Sequence, residues 1–346
     1  MDTKIIELVT SLPGGSGSEY KIKEVFKDRL KDADEVICDG FGGIFGKFNG
    51  TKDDVKVMVC AHMDEVSLMV NEVRDDGFLK VMPIGGINVE AFVSQNVLVH
   101  GKKDVRGLIS SIPPHLAKGN SAADFNDVVL DIGCDSKDEV LALGINVGTY
   151  ATPIPSFYFT EGKDKIVNKA MDDRLGCAVV LDIINEIKNI KHPNTLYLGG
   201  TVQEEVGLRG ARVASNMITP DLFITIDVSP ASDYLGEKNK GKLGDGFLIR
   251  YFDPGNIMPI KLREYFISLA TKHDIKYQLF KSTGGTDAGA AQYVGNGILA
   301  TTVGIPGRYI HSPATMVSLK DIEAAKQFVI KLIEDFDSKK LKKLHE

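Results

Sequence analysis

Residues able to bind divalent cations or move protons fall in short clusters: His62-Met-Asp64-Glu65, Asp172-Asp173, Gln203-Glu204-Glu205, Asp227 and Tyr-Ile-His311-Ser-Pro. Two imidazoles with several carboxylates make a mixed nitrogen and oxygen donor set suited to zinc, cobalt or manganese. One bridging carboxylate can hold two ions roughly 3.5–4 Å apart, which together activate water. A carboxylate left free beside them takes the water's proton and passes it to a leaving amine. Adjacent glutamates suit that division, one bound and one free. Asp64, two residues after His62, is placed to orient that imidazole.

Singly, each cluster is weak. An Asp pair is more often a turn or cap, a Glu pair a solvated helix face, and a lone His a structural residue. Their shared location is what carries the inference. The continuous apolar run 55–61 reads as a strand covered on both faces, and it ends in His62. Strand 195–202 ends in Gln203, strand 222–226 in Asp227, and strand 298–304 leads toward His311. Asp172 stands just before a helix over 174–188. Open α/β sheets bind ligands at the carboxyl ends of their strands. Carboxylates buried there without a cation would be costly.

The elements that must position these residues follow from the pattern. DTKIIELVTSL is helical in spacing, and Ser16-Gly-Ser-Glu19 reads as a capping box opening a second helix through about Leu30. From 66 to 163 short β-type runs (SLMVNEV, GFLKVMPI, QNVLVHG, GLISSI, DVVLDIG, FYFTEG) alternate with Gly, Pro and Asp, without a convincing helix. That is an all-β insert, expected to be a small barrel, with an irregular and mobile loop at 115–127. Strands then alternate with helices, ending in an amphipathic helix over 318–336 and a frayed KKLKKLHE tail. The predicted fold is α/β, a mainly parallel sheet with helices on both faces, formed by 1–65 and 164–346 and interrupted by the insert 66–163.

With 346 residues, 43% hydrophobic and 25% charged, the chain can build a large core without staples. A net charge of −6 with interleaved signs argues against nucleic acid or an anionic membrane as partner. No signal peptide or membrane span is read, and Cys38, Cys60, Cys134 and Cys177 are scattered, so a reducing cytoplasm is expected.

In this order, AHMDE (61–65), AMDDR (170–174), QEEVG (203–207), TIDVS (225–229), GGTDAGA (284–290) and YIHSP (309–313) resemble the tetrahedral (TET-type) metallo-aminopeptidases, along the whole chain. The resemblance implies an exo-aminopeptidase acting on short peptides with two divalent metal ions per subunit, zinc first and cobalt or manganese as alternatives. It implies that Asp172 bridges them, that His62 and Asp227 complete one site, and that Glu205 and His311 complete the other. Glu204 would be the general base, and the Asp172–Asp173 bond would be cis. The insert falls where that family carries its dimerisation domain, and the implied assembly is a hollow dodecamer built from dimers. LGDGFLIRYFDPGNIM (243–258) is similar to the glutamyl branch, in which an arginine faces an acidic substrate side chain. Arg250 is the matching residue, and a guanidinium can grip a carboxylate through two parallel bonds. Lys281 could add positive charge. The expected preference is for N-terminal Glu, with Asp as a second candidate.

Alternatives within reach of the same donors are a broad or leucyl-type aminopeptidase and a metal-dependent carboxypeptidase or amidohydrolase. An endoglucanase, which needs two carboxylates about 5–9.5 Å apart, gives the histidines no purpose. A peptide-binding scaffold would have no need for an intact donor set.

Overall fold

The apolar runs become the middle of a sheet. The computed structural model describes residues 1–52, 54–117, 124–236 and 241–346. Strands β1 (Glu35–Cys38), β2 (Ile44–Phe48) and β3 (Lys56–His62) precede the insert. Within it lie β4 (Ser67–Val73), β5 (Leu79–Ile84), β6 (Asn96–His100), β7 (Asp104–Ile109), β8 (Leu130–Asp131) and β9 (Tyr150–Pro153). The chain returns through β10 (Tyr158–Phe159) and β11 (Lys165–Asn168), then β12 (Thr195–Thr201), β13 (Leu222–Pro230) and β14 (Phe247–Phe252). It closes with β15 (Tyr277–Lys281), β16 (Leu299–Arg308) and β17 (Thr315–Ser318).

The large sheet has 11 strands in the order β1-β2-β12-β3-β13-β16-β17-β11-β10, with β14 paired to β16 and β15 to β14. Its centre, β12-β3-β13-β16, is parallel, so four carboxyl ends share one edge. Antiparallel strands flank it, and the α/β class holds. In β3, Val57, Val59 and Ala61 face a core with the helices Met171–Glu186 and Leu319–Asp335, while Met58 and Cys60 face Ala211, Ala214, Ala288 and Ala291 on the other side. Both faces are therefore covered, which is why the strand reads as a continuous apolar run. The helix Met171–Glu186 is buried from Met171 to Ile184. A Cβ on Gly176 would lie 2.7 Å from the Ile226 oxygen, so glycine there lets this helix press against β13.

Strands β4 to β9 form a closed barrel in the order β4-β5-β8-β7-β6-β9. It has its own core, including Leu68, Val81, Val97, Val99, Ile109 and Leu130. Closure removes the exposed edges that such short strands would otherwise present.

Several local expectations change. The segment FYFTEG does not join the barrel: Tyr158 and Phe159 pair with Val167 and Ile166 in the large sheet. The insert also carries a helix, Lys137–Ala142, whose N-cap is Ser136. Of the loop expected at 115–127, residues 118–123 lie outside the described residues; Phe125–Asp127 is a 3-10 turn with a capping box. Ser16 does not cap the second helix, which runs Tyr20–Arg29 without a side-chain cap, because its hydroxyl donates to the charged Asp64 instead. The KKLKKLHE tail is helical over Ser338–His345, held by the Asp337 carboxylate accepting the N–H groups of Lys339 and Lys340. Leu341 and Leu344 pack on the main core. Among the described residues no helix is long and apolar enough to cross a membrane.

Candidate active site

The shared carboxyl edge brings the sequence clusters together. His62 ends β3, Glu204 and Glu205 follow β12, Asp227 lies near the end of β13, and His311 follows β16. Asp172 arrives from the opposite direction, at the start of the helix Met171–Glu186, and its bond to Asp173 is cis. All six side chains line one cavity of about 500 Å³.

Asp172 sits between the two imidazoles. Its Oδ1 is 3.2 Å from His62 Nε2, and its Oδ2 is 3.2 Å from His311 Nε2. The far side of each ring is pinned. His311 Nδ1 donates to the Gly86 carbonyl at 2.7 Å, and His62 Nδ1 faces the Asp64 main-chain oxygen at 3.1 Å and its carboxylate at 3.4 Å. Both rings thus point Nε2 into the cavity, the arrangement that outer partners impose on metal-ligating histidines. Donor atoms of His62, Asp172 and Glu205 lie within 4.8 Å of one another, as do those of His62, Glu204 and Asp227. Glu205 Oε2 is 3.5 Å from His311 Nε2.

Electrostatics carry the same message. Burial, reinforced by the charge of Asp172, pushes Glu205 up to about 8 and Asp227 to about 7. Burial also raises Glu204 well above the ordinary carboxylate range, opposed by His62 and reinforced by Glu205. Burial would lower His311, but its bond to Asp172 and the nearby Glu205 lift it to about 10. His62 is likewise raised, its desolvation overcome by Glu204, Asp172 and Asp64. Burial works against the charge on Asp172, yet bonds from both imidazoles hold it low. Carboxylates therefore outnumber the two imidazoles, and Glu205 Oε1 is buried with no hydrogen-bond partner among the described residues. The donor set fits divalent cations: oxygen and imidazole nitrogen converge, and a carboxylate oxygen is left unmatched.

Asp64 does more than orient a ring. Its Oδ1 accepts the Glu204 N–H at 3.0 Å, and its Oδ2 accepts the Glu205 N–H at 3.2 Å. Arg250 reaches the cavity wall, 4% exposed. Its Nε faces Asp253 at 3.0 Å, Nη1 donates to Ser229 Oγ at 3.3 Å, and Nη2 donates to the Gly284 carbonyl. Lys281 is not brought in: it is exposed, with its ammonium over the Phe252 ring, outside the cavity. The side chains of β15 alternate, and Lys281 falls on the exposed turn of that pattern while Phe280 is buried. Sequence reading missed Gly86, a barrel-loop residue whose carbonyl has no side-chain signature. It also missed Asp287, which lies inside the GGTDAGA motif and accepts from Thr201 at 2.5 Å.

Residues 42–328 match the M42 glutamyl aminopeptidase family. The chain belongs to that family. It is 34% identical to the glutamyl aminopeptidase of Lactococcus lactis subsp. cremoris over 344 residues, covering 97% of each chain. It is 33% identical to the lysyl aminopeptidase of Pyrococcus furiosus over 349 residues, again covering 97% of each. Among solved structures, a TET aminopeptidase from a marine sediment Thaumarchaeota archaeon superposes with a TM-score of 0.95 at 32% identity, covering 99% of this chain and 98% of that one. The TET1 peptidase of Pyrococcus horikoshii, which can assemble into a tetrahedron or a large octahedral shell, superposes with a TM-score of 0.88 at 28% identity, covering 96% and 99%. This M42 chain is thus an aminopeptidase of a metal-dependent family. That resolves the choice left open against carboxypeptidase, glycosidase and scaffold.

Proposed function

We propose that this M42 protein removes N-terminal Glu, and secondarily Asp, from short peptides, using two divalent ions at the cluster described above. The observation that carries the metal assignment is Asp172, whose two oxygens each face a different inward-pointing imidazole nitrogen at 3.2 Å. His62 and Asp227 would hold one ion beside it, and Glu205 and His311 the other. Bound cations would supply Lewis-acid polarisation of the scissile carbonyl and would acidify water. The chain's own residues do the rest. Glu204, left free, takes the proton of the attacking water and delivers it to the leaving amine. Asp64 fixes both His62 and the backbone that presents Glu204. Zinc is the first candidate, with cobalt and manganese compatible with the same donors.

Relatedness does not select the side chain removed, since the glutamyl and lysyl relatives are almost equally similar. The cavity does. Among the described residues, Arg250 is the one arginine or lysine in its wall. Its guanidinium favours an acidic substrate side chain and repels a basic one. A panel of aminoacyl substrates with defined metals tests this. Arg250→Ala should cut the Glu-to-Leu ratio of kcat/KM by about 10-fold, the worth of one hydrogen bond to a charged group. Lys281→Ala should leave the ratio alone. An unchanged ratio in Arg250→Ala would remove it as selector.

Assembly into a tetrahedral dodecamer is supported by the TET structures, one of them a dodecamer and one able to form a tetrahedron, with the barrel as the dimer-forming part of the proposal, and light scattering of the purified protein tests it. Cytoplasmic residence is supported by four cysteines that form no disulfide.

A further inference from the structure

The turn between the first two helices has no part in the scheme above, yet its polar side chains are aimed at the catalytic strand ends. Glu19 is 6% exposed, and its Oε1 accepts the N–H of Gly17 at 2.8 Å and of Gln203 at 3.1 Å. Gln203 has φ +55°, in the left-handed region that side chains rarely adopt. At this residue the chain leaves β12 and turns Glu204 into the cavity. Ser16 Oγ donates at 2.6 Å to Asp64 Oδ2, the oxygen that also takes the Glu205 N–H. The consecutive amides of Gln203, Glu204 and Glu205 are therefore all held by carboxylates, the first by Glu19 and the next two by Asp64.

The turn is itself anchored. Gly14 N–H donates to Glu65 Oε1 at 3.1 Å, and Arg174 Nη2 donates to the Gly14 carbonyl at 2.9 Å. A buried carboxylate is costly, and charge-assisted bonds to backbone N–H groups are what offset it here. Nothing in the helix Tyr20–Arg29 uses the Glu19 side chain, since that helix has no side-chain cap.

We propose that Ser16 and Glu19 are positioning residues for the general base, fixing the backbone of 203–205 so that the Glu204 carboxylate points at the reacting centre. The proposal rests on Glu204 being that base. It also explains why a Ser-x-x-Glu pattern stands here without capping a helix. One of its members holds Asp64, and the other holds the residue before the base.

Steady-state kinetics on the metal-loaded protein, in wild-type and Glu204→Gln backgrounds, tests it. Glu19→Ala should lower kcat by about 10²-fold, the cost of a displaced catalytic group, with KM and metal content little changed. Glu19→Gln keeps an acceptor oxygen and should restore most of the turnover. In the Glu204→Gln background Glu19→Ala should add almost nothing, because the group it positions is gone. If Glu19→Ala does not fold, Ser16→Ala should show the same background dependence with a loss of about 10-fold. An equal loss in both backgrounds would mean a merely structural role and would overturn the proposal. So would wild-type kcat in Glu19→Ala beside an inactive Glu204→Gln. Full turnover in Glu204→Gln alone would instead remove the base assignment, and this proposal with it.

Discussion

Two clusters of buried charge both draw on the segments around 62–65 and 169–174. One uses Glu65, Lys169 and Arg174; the other uses His62, Asp172, Glu204, Glu205, Asp227 and His311. The first is closed. Lys169 Nζ contacts both Glu65 oxygens at 2.8 and 2.7 Å, and Arg174 donates to the carbonyls of Val9, Leu12, Met63 and Gly14. The second is open: carboxylates outnumber imidazoles, several are pushed far above their ordinary range, and Glu205 Oε1 has no hydrogen-bond partner among the described residues. The closed cluster ties the N-terminal helix to the sheet. The open one holds more carboxylates than its two imidazoles balance, with Arg250 Nη1 4.0 Å from Asp227. Burial alone does not separate structure from function here; the match of donors to acceptors does.

Breaking each cluster should therefore have opposite signatures. The largest effect belongs to Glu204→Gln, which should lower kcat by about 10²–10⁴-fold while metal content and Tm stay at wild-type values. Next is Lys169→Met in the closed cluster. Leaving Glu65 buried beside a lost partner should cost about 3–5 kcal/mol, read by urea denaturation, with little change in kcat of the folded protein.

The third signature is in pH. In metal-free protein the folded-state values of Asp227 (about 7), Glu205 (about 8) and His311 (about 10) all lie above their ordinary ones. The folded chain therefore binds these protons more tightly than the unfolded chain. The stability they contribute is full below the unfolded values and is lost as pH rises through the folded ones. The Tm of chelated protein should fall from neutral pH toward about pH 10, and divalent metal should flatten that slope while adding about 2.7 kcal/mol at a hundredfold excess over Kd. A metal-free Tm that rises over this range would show that the cluster is not short of positive charge.

Much of the open cluster was legible in the sequence because strands buried on both faces leave an unmistakable trace. Val57 to Ala61 and Leu222 to Ile226 are largely apolar runs that stop at His62 and Asp227, and the buried strand Thr195–Thr201 runs out three residues before Glu204. What escaped depends on contacts far apart in the chain. Ser16-x-x-Glu19 has the local form of a cap, and only the fold shows Asp64 and Gln203 waiting for it. The Gly86 carbonyl reaches His311 from the barrel, through backbone that no residue type announces. Tyr158 and Phe159 have the same β-type character as the barrel strands, so their pairing with β11 could not be read from composition. The C-terminal helix depends on Leu341 and Leu344 finding the core, which its charge density hides.

The central claim is that the open cluster is a two-metal centre bridged by Asp172. Anomalous diffraction from crystals of the zinc-loaded protein tests it most directly. The account predicts two peaks, one beside His62 and Asp227 and the other beside His311 and Glu205, with Asp172 touching both. No peak in this cavity would contradict it, as would a single ion held by His62, Asp227 and Glu204.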